Sequence, residues 1–446
     1  MTNDSGDTTA SPTSVDSVDQ DAGISQEVIT PSQPVHPYLH VIAVAIIGAV
    51  AVLVWLVIFE DVNKLLWEND FVTSNRWMFP VICLPFSLLV GLLVKYRHAP
   101  TTLDESLLDS MSGDVTKIDW RTLPLNVVMA WVSLFSGAVL GPEGGIGGIS
   151  SKIAAFYGER VAIPVEHRSQ LVFSTIAAAY NGLVANPLFT GVLGTELVKD
   201  PEAKARNLPA NLIGGAIGYL IFFAAGSSGL QNYLHLAPAQ PIRAEDIVLV
   251  VLFGLLGLIL ALIGGVFFRV SAAAFGRFKG REVERALVAG LIFSAVGMVA
   301  PVLLFSGESQ VQTVVADPAS YGPGMLVLMA VVKLALLAVA FKSGFLGGPT
   351  FPAIFASVCV ALAISLLLPT LPVTVVIGGV MAGFLTVLFR APFMVILLTV
   401  VMLQASTELT ALIVLAVATV MIAQPYVMTV ITRRQQARAA SRSAAR

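Results

Sequence analysis

The sequence predicts an all-α polytopic membrane protein made of two inverted-topology repeats of broken and tilted helices. Three observations predict it: a composition that water cannot carry, apolar runs broken by Gly and Pro, and a motif pair repeated at one offset. Of 446 residues 56% are hydrophobic and 12% charged, and mean hydropathy is +0.84. Soluble domains carry about 25% charged residues, so lipid must be the solvent for most of this chain. The 26 Lys and Arg are scattered and the net charge is −2. Without a basic stripe and interleaved aromatics, no nucleic-acid partner is expected. Cys83 and Cys359 lie in apolar runs and read as buried thiols, without the spacing of a disulfide framework or a zinc site.

Residues 1–37 are rich in Ser, Thr, Asp and Pro, and no Lys or Arg occurs before Lys64. A secretory signal needs a basic start and an apolar core; this segment reads as a disordered acidic tail. Apolar runs able to cross a bilayer, wholly or in part, follow at 38–59, 78–94, 123–140, 170–184, 208–225 and 247–268. The rest lie at 286–305, 325–341, 353–368, 373–388, 392–403 and 409–431. Several are short or interrupted, which lipid tolerates only where the freed backbone lines a protein-buried cavity. Basic residues mark three loops: Lys95 to His98, Lys199 to Arg206, and Arg277 to Arg285. The first loop is acidic, with Glu60, Asp61, Glu68 and Asp70. The positive-inside rule then puts the basic loops, both termini and the basic tail 433–446 in the cytoplasm.

The repeat locates a site. Ser136-Gly137 is followed after three residues by Gly141-Pro142, and Ser343-Gly344 after three residues by Gly348-Pro349 (343 − 136 = 207). Asn186-Pro187 and Ala391-Pro392 each open an apolar stretch (392 − 187 = 205). Taken singly, such glycines only let helices pack closely. Two landmarks at nearly one offset imply duplicated halves, 38–228 and 244–432, joined by a connector at 229–243. Interrupted segments at matching positions point to a transporter's binding site. A helix that starts inside the membrane offers unsatisfied N–H groups and the positive end of its dipole. Such ends bind an anion without a full positive charge. Glu143 follows the first break directly. A carboxylate in the bilayer interior costs several kcal/mol, so its presence suggests use. Ionised, it can occupy the anion's place; protonated, it can swing aside. The alternative is a helix-cap acid near the surface.

These residues carry a resemblance. GPEGG at 141–145 is similar to the GREGP or GKEGP motif of CLC chloride channels and proton-coupled transporters. SGFLGGPTFPAIF at 343–355 resembles their GGxFxP region, YNGLVANPLFTGVLGT at 180–195 their AAFNAPLAGILF segment, and Arg390-Ala391-Pro392 their RAPLTG. Lys333 stands where the family usually has a basic residue, and the resemblance runs from about residue 38 to 432. It implies transport of small anions (chloride or fluoride) together with protons, in a homodimer with one pore per subunit in the cell membrane. It implies no cofactor and no enzymatic activity. Glu143 falls on the external gate and proton carrier. Gly141, Gly144, Gly348 and Phe351 fall on anion-binding backbone, and Tyr426 lies near the hydroxyl donor.

Three departures mark a divergent bacterial branch. The GSGIP motif is absent; an ungapped count back from Glu143 puts Thr102 at its anion-binding serine, close to Asp104 and Glu105. Leu197 stands at the inner proton glutamate, with Glu196 one residue before it as a possible internal proton site. Pro142 replaces the basic residue before the gate. Proton-coupled anion transport leads, with a passive channel or a fluoride exporter as variants. A membrane enzyme acting on lipid phosphate would use Asp104, Glu105, Asp109, Asp114 and Asp119, but these lack a fixed motif and read as a solvated loop. His36, His40, His98, His167 and His235 form no metal-ligand spacing.

Overall fold

The computed structural model describes residues 36–101, 118–198, 200–226, 234, 236 and 242–444. Residues 1–35 of the expected tail 1–37, Thr102, most of the acidic loop and most of the connector lie outside them, and His36 and Pro37 already belong to the first helix. The first half comprises α1 (His36–Trp67), α2 (Met78–Arg97), α3 (Leu123–Phe135), α4 (Glu143–Arg160), α5 (Val165–Ala179), α6 (Pro187–Leu197) and α7 (Pro201–Ala224). The second comprises α8 (Ala244–Phe275), α9 (Glu282–Val299), α10 (Glu308–Ala316), α11 (Gly322–Ser343), α12 (Thr350–Leu367), α13 (Val373–Phe389), α14 (Pro392–Leu403) and α15 (Thr407–Ala444). Among the described residues seven helices are long and apolar enough to cross a membrane: α1, α2, α7, α8, α11, α12 and α15.

The duplication is visible in three helix pairs among the described residues. α1 and α8 each have 32 residues and start 208 apart (244 − 36). α4 and α12 are offset by 207 at both ends (350 − 143 and 367 − 160). α6 and α14 both begin on the paired prolines, where a residue with no N–H and a fixed φ fits the first helical position. Packing repeats as well. α1 lies on α5 as α8 lies on α13, and α4 lies on α5 as α12 lies on α13. α2 with α9 and α6 with α14 join the two halves.

Small residues let these helices approach. Gly214 and Gly218 of α7 rest on the Ser174 and Ala178 backbone of α5, and a Cβ at either would overlap a carbonyl oxygen. This is the small-xxx-small device of membrane bundles. Cys83 and Cys359 are buried free thiols. Two features differ from the sequence expectation. α4 is absent from the apolar runs, because Gly, Ser and Lys152 dilute it. The last helix continues through the 432 boundary to Ala444, with no break at the basic tail.

Candidate functional site

The two repeated breaks meet. Gly141 N–H donates to the Gly348 carbonyl and Gly348 N–H donates to the Gly141 carbonyl, both at 2.8 Å. This isolated antiparallel bridge joins equivalent residues of the two halves. A further bond, from Leu346 N–H to Ser133 Oγ at 3.0 Å, ties the second break to α3. Each break then opens a helix in the same way: Ile146 N–H bonds to Pro142 O in α4, and Ala353 N–H to Pro349 O in α12. Donors earlier in each first turn have no intrahelical partner.

Glu143 lies in that gap, with 5% of its surface exposed. Its Oε1 accepts from Phe351 N–H at 3.4 Å, and the Thr350 N–H and hydroxyl face the same carboxylate. Its Oε2 is buried without a hydrogen-bond partner. The side chain of one repeat therefore occupies the helix end of the other. Gly141 and Gly348 make the space, since a Cβ on either would overlap Oε2. Gly144 allows contact at the other side, where a Cβ would stand 2.8 Å from the Gly347 backbone. Tyr180 donates its hydroxyl to the Glu143 carbonyl at 2.9 Å, bracing the start of α4. A cavity of about 660 Å³ reaches the break, its wall including Leu140, Pro142, Glu60, Asn63, Lys64 and Glu308.

The structure thus brings together Glu143, Gly141, Gly144, Gly348 and Phe351. It also corrects two expectations. The N–H groups of Gly141 and Gly348 donate to each other's carbonyls and do not face the gap as open donors. Tyr426 is 73% exposed on α15 and does not join the site; Tyr180 is the tyrosine beside Glu143. In the sequence it stood out only as the first residue of the family-like segment 180–195. Thr102 lies outside the described residues. Glu196 sits elsewhere, at the seam between halves: its carboxylate accepts from Phe393 N–H at 3.0 Å and Met394 N–H at 2.6 Å. It caps α14 from α6. Among the described residues no group of three or more His, Cys, Asp or Glu is placed to hold a metal ion.

Two repeats of broken helices, meeting at a buried carboxylate within a lipid-solvated bundle, define a membrane transport protein. The chain belongs to the voltage gated chloride channel family, which it matches over residues 86–424. YfeO of Escherichia coli O1:K1, a protein named for ion transport, is 25% identical over 414 residues, 89% of this chain and 96% of its own. YfeO of Shigella flexneri is 24% identical over 383 residues, covering 83% and 89%. A slow cyanobacterial Cl−/H+ antiporter shares the fold at a TM-score of 0.74 and 19% identity, over 91% of this chain and 99% of that one. A CLC-type fluoride/proton antiporter does so at 0.69 and 16%, over 88% and 96%.

Proposed function

We propose that the protein carries small inorganic anions across the cell membrane in exchange for protons, with Glu143 as both gate and proton carrier. The observation that carries this reading is the Glu143 carboxylate held against the first turn of α12, with Oε2 unpartnered. A negative group is favoured there by the helix dipole and the first-turn N–H donors. An anion and the ionised side chain compete for one place. Protonation removes the charge that holds the side chain, so proton binding and anion entry alternate. The donors are backbone N–H groups without a full positive charge, which suits binding weak enough for release. The protein works as a homodimer with one pore per subunit and both termini in the cytoplasm, and the cavity opens to the outside.

A passive channel is the second reading. Glu196 is engaged by the α14 N–H groups and Leu197 follows it, so the inner side lacks a free acid at that place. The test is flux from liposomes holding the purified protein, loaded with chloride or with fluoride, with external pH recorded. Anion efflux should drive proton uptake, and Glu143→Ala should keep the efflux and lose the uptake. Efflux without proton movement makes the protein a channel; failure to move either anion overturns the reading.

A further inference from the structure

A second acid, Glu308, shares a cavity wall with Pro142, the residue before Glu143. Glu308 opens α10, a nine-residue helix between α9 and the span α11. It is half-buried and lines the cavity whose wall includes Leu140 and Pro142, next to Glu143. The turn that presents it is held from two sides. Phe305 N–H donates to the Gly137 carbonyl at 3.3 Å, which stitches the turn to the first repeated break. From behind, Lys333 donates to the carbonyls of Leu303, Leu304 and Phe305 at 3.2, 2.9 and 3.0 Å. Lys333 is fully buried in α11, and its ammonium lies 4.7 Å from the Phe355 ring centre.

An ammonium inside a membrane span is costly, though three carbonyls satisfy its donors. Spending it on one short turn makes sense where that turn must not move. Gly307 then reverses the chain at φ +94°, directly over Lys333. The result is a carboxylate held at a set place beside the break. Behind Pro142 on the wall of the same cavity, the buried Oε2 of Glu143 has no hydrogen-bond partner.

The geometry points to Glu308 as an outer proton station, which receives protons from the cavity and passes them to Glu143. This rests on the proton-coupled reading above and adds a residue to its path. Burial raises the Glu308 carboxyl to about 8, with the negative charges of Glu143 and then Glu60 adding to the effect. It therefore holds a proton at neutral pH and can release one as external pH rises. Other titratable or charged groups on the cavity are Glu60, Lys64 and Glu68 of α1, Arg76, and Tyr321 before α11; Lys333 stands behind the turn. Transfer to Glu143 moves one proton from carboxylic acid to carboxylate, and the emptied station refills from water.

The test uses full-length protein in liposomes, comparing wild type, Glu308→Gln, Glu308→Asp and Glu143→Ala. Glu308→Gln should lower proton flux about tenfold, a barrier increase of about 1.4 kcal/mol, while anion efflux persists. The efflux shows that the variant is folded. The dependence of proton flux on external pH near 8 should vanish in Glu308→Gln and reappear at a shifted pH in Glu308→Asp. Wild-type proton flux and pH dependence in Glu308→Gln overturn the station and leave the gate reading intact. A wild-type protein that moves anions without protons overturns both. If Glu308→Gln does not fold, Glu308→Asp decides: an unaltered pH profile despite the shorter carboxylate reach overturns the station, and a shifted one supports it.

Discussion

At Gly348 the room for the Glu143 carboxylate is set by a missing side chain. A Cβ there would stand 2.6 Å from the Glu143 Cδ, so Gly348→Ala must displace the carboxylate from the α12 end. A glutamate can rotate, and the displacement should cost little stability. Gly144→Ala meets something that cannot rotate: the Gly347 backbone at 2.8 Å. Overpacking of that kind costs about 1–3 kcal/mol. Gly348→Ala is therefore expected to melt near wild type while its proton-to-anion ratio falls, and Gly144→Ala to melt lower. Thermal melts of detergent-solubilised protein, with liposome flux alongside, check both. A Gly348→Ala protein with full coupling would show that the carboxylate's resting place is not the gate.

Among the helices, α6 and α14 show how the halves are locked together. The Glu196 carboxylate reaches from the end of α6 to two N–H groups that α14 cannot satisfy itself. Hydrogen bonds to a charged group contribute about 1.5–3 kcal/mol, so Glu196→Ala should lower stability by about that much and Glu196→Gln by less. Neither should alter the proton-to-anion ratio. A loss of coupling in Glu196→Gln at unchanged melting temperature would return Glu196 to the proton path. What the sequence disclosed at this level follows from local chemistry. The starts at Pro187 and Pro392, and the breaks before Glu143 and Thr350, were readable because Pro and Gly act on their own backbone wherever they stand. α4 was not readable as a span. Buried against protein on most sides, it needs small residues more than apolar ones, and Gly144, Gly145, Gly147, Gly148, Ser150 and Ser151 erase its hydropathy. Tyr426 was misplaced for a related reason: α15 runs on through Pro425, and the side chain faces outward. Glu308 and the Lys333 carbonyl contacts depend on a tertiary turn that no spacing in the chain announces.

For the molecule as a whole, the duplication raises the question of how the two halves stand in the membrane. Helices start 205 to 208 residues apart in α1/α8, α4/α12 and α6/α14, and the loops after α1 and α8 are equivalent under that offset. Their net charges are opposite: Glu60, Asp61, Glu68 and Asp70 outnumber Lys64 and Arg76 around the end of α1, whereas Arg277, Lys279, Arg281 and Arg285 outnumber Glu282 and Glu284 around the second. If the repeats were parallel, both loops would share a side and the charge contrast would have no topological meaning. Inverted repeats put them on opposite sides, with the basic loop inside. Ser74 and Lys279 are exposed in these two loops and equivalent at 279 − 74 = 205. Both native cysteines are buried, so labelling background is low. A membrane-impermeant maleimide applied to intact cells should modify Ser74→Cys and spare Lys279→Cys, which should react only after permeabilisation. Equal labelling of both in intact cells would mean parallel repeats. The reverse pattern would turn the cavity, and the side from which Glu308 takes its protons, to the cytoplasm.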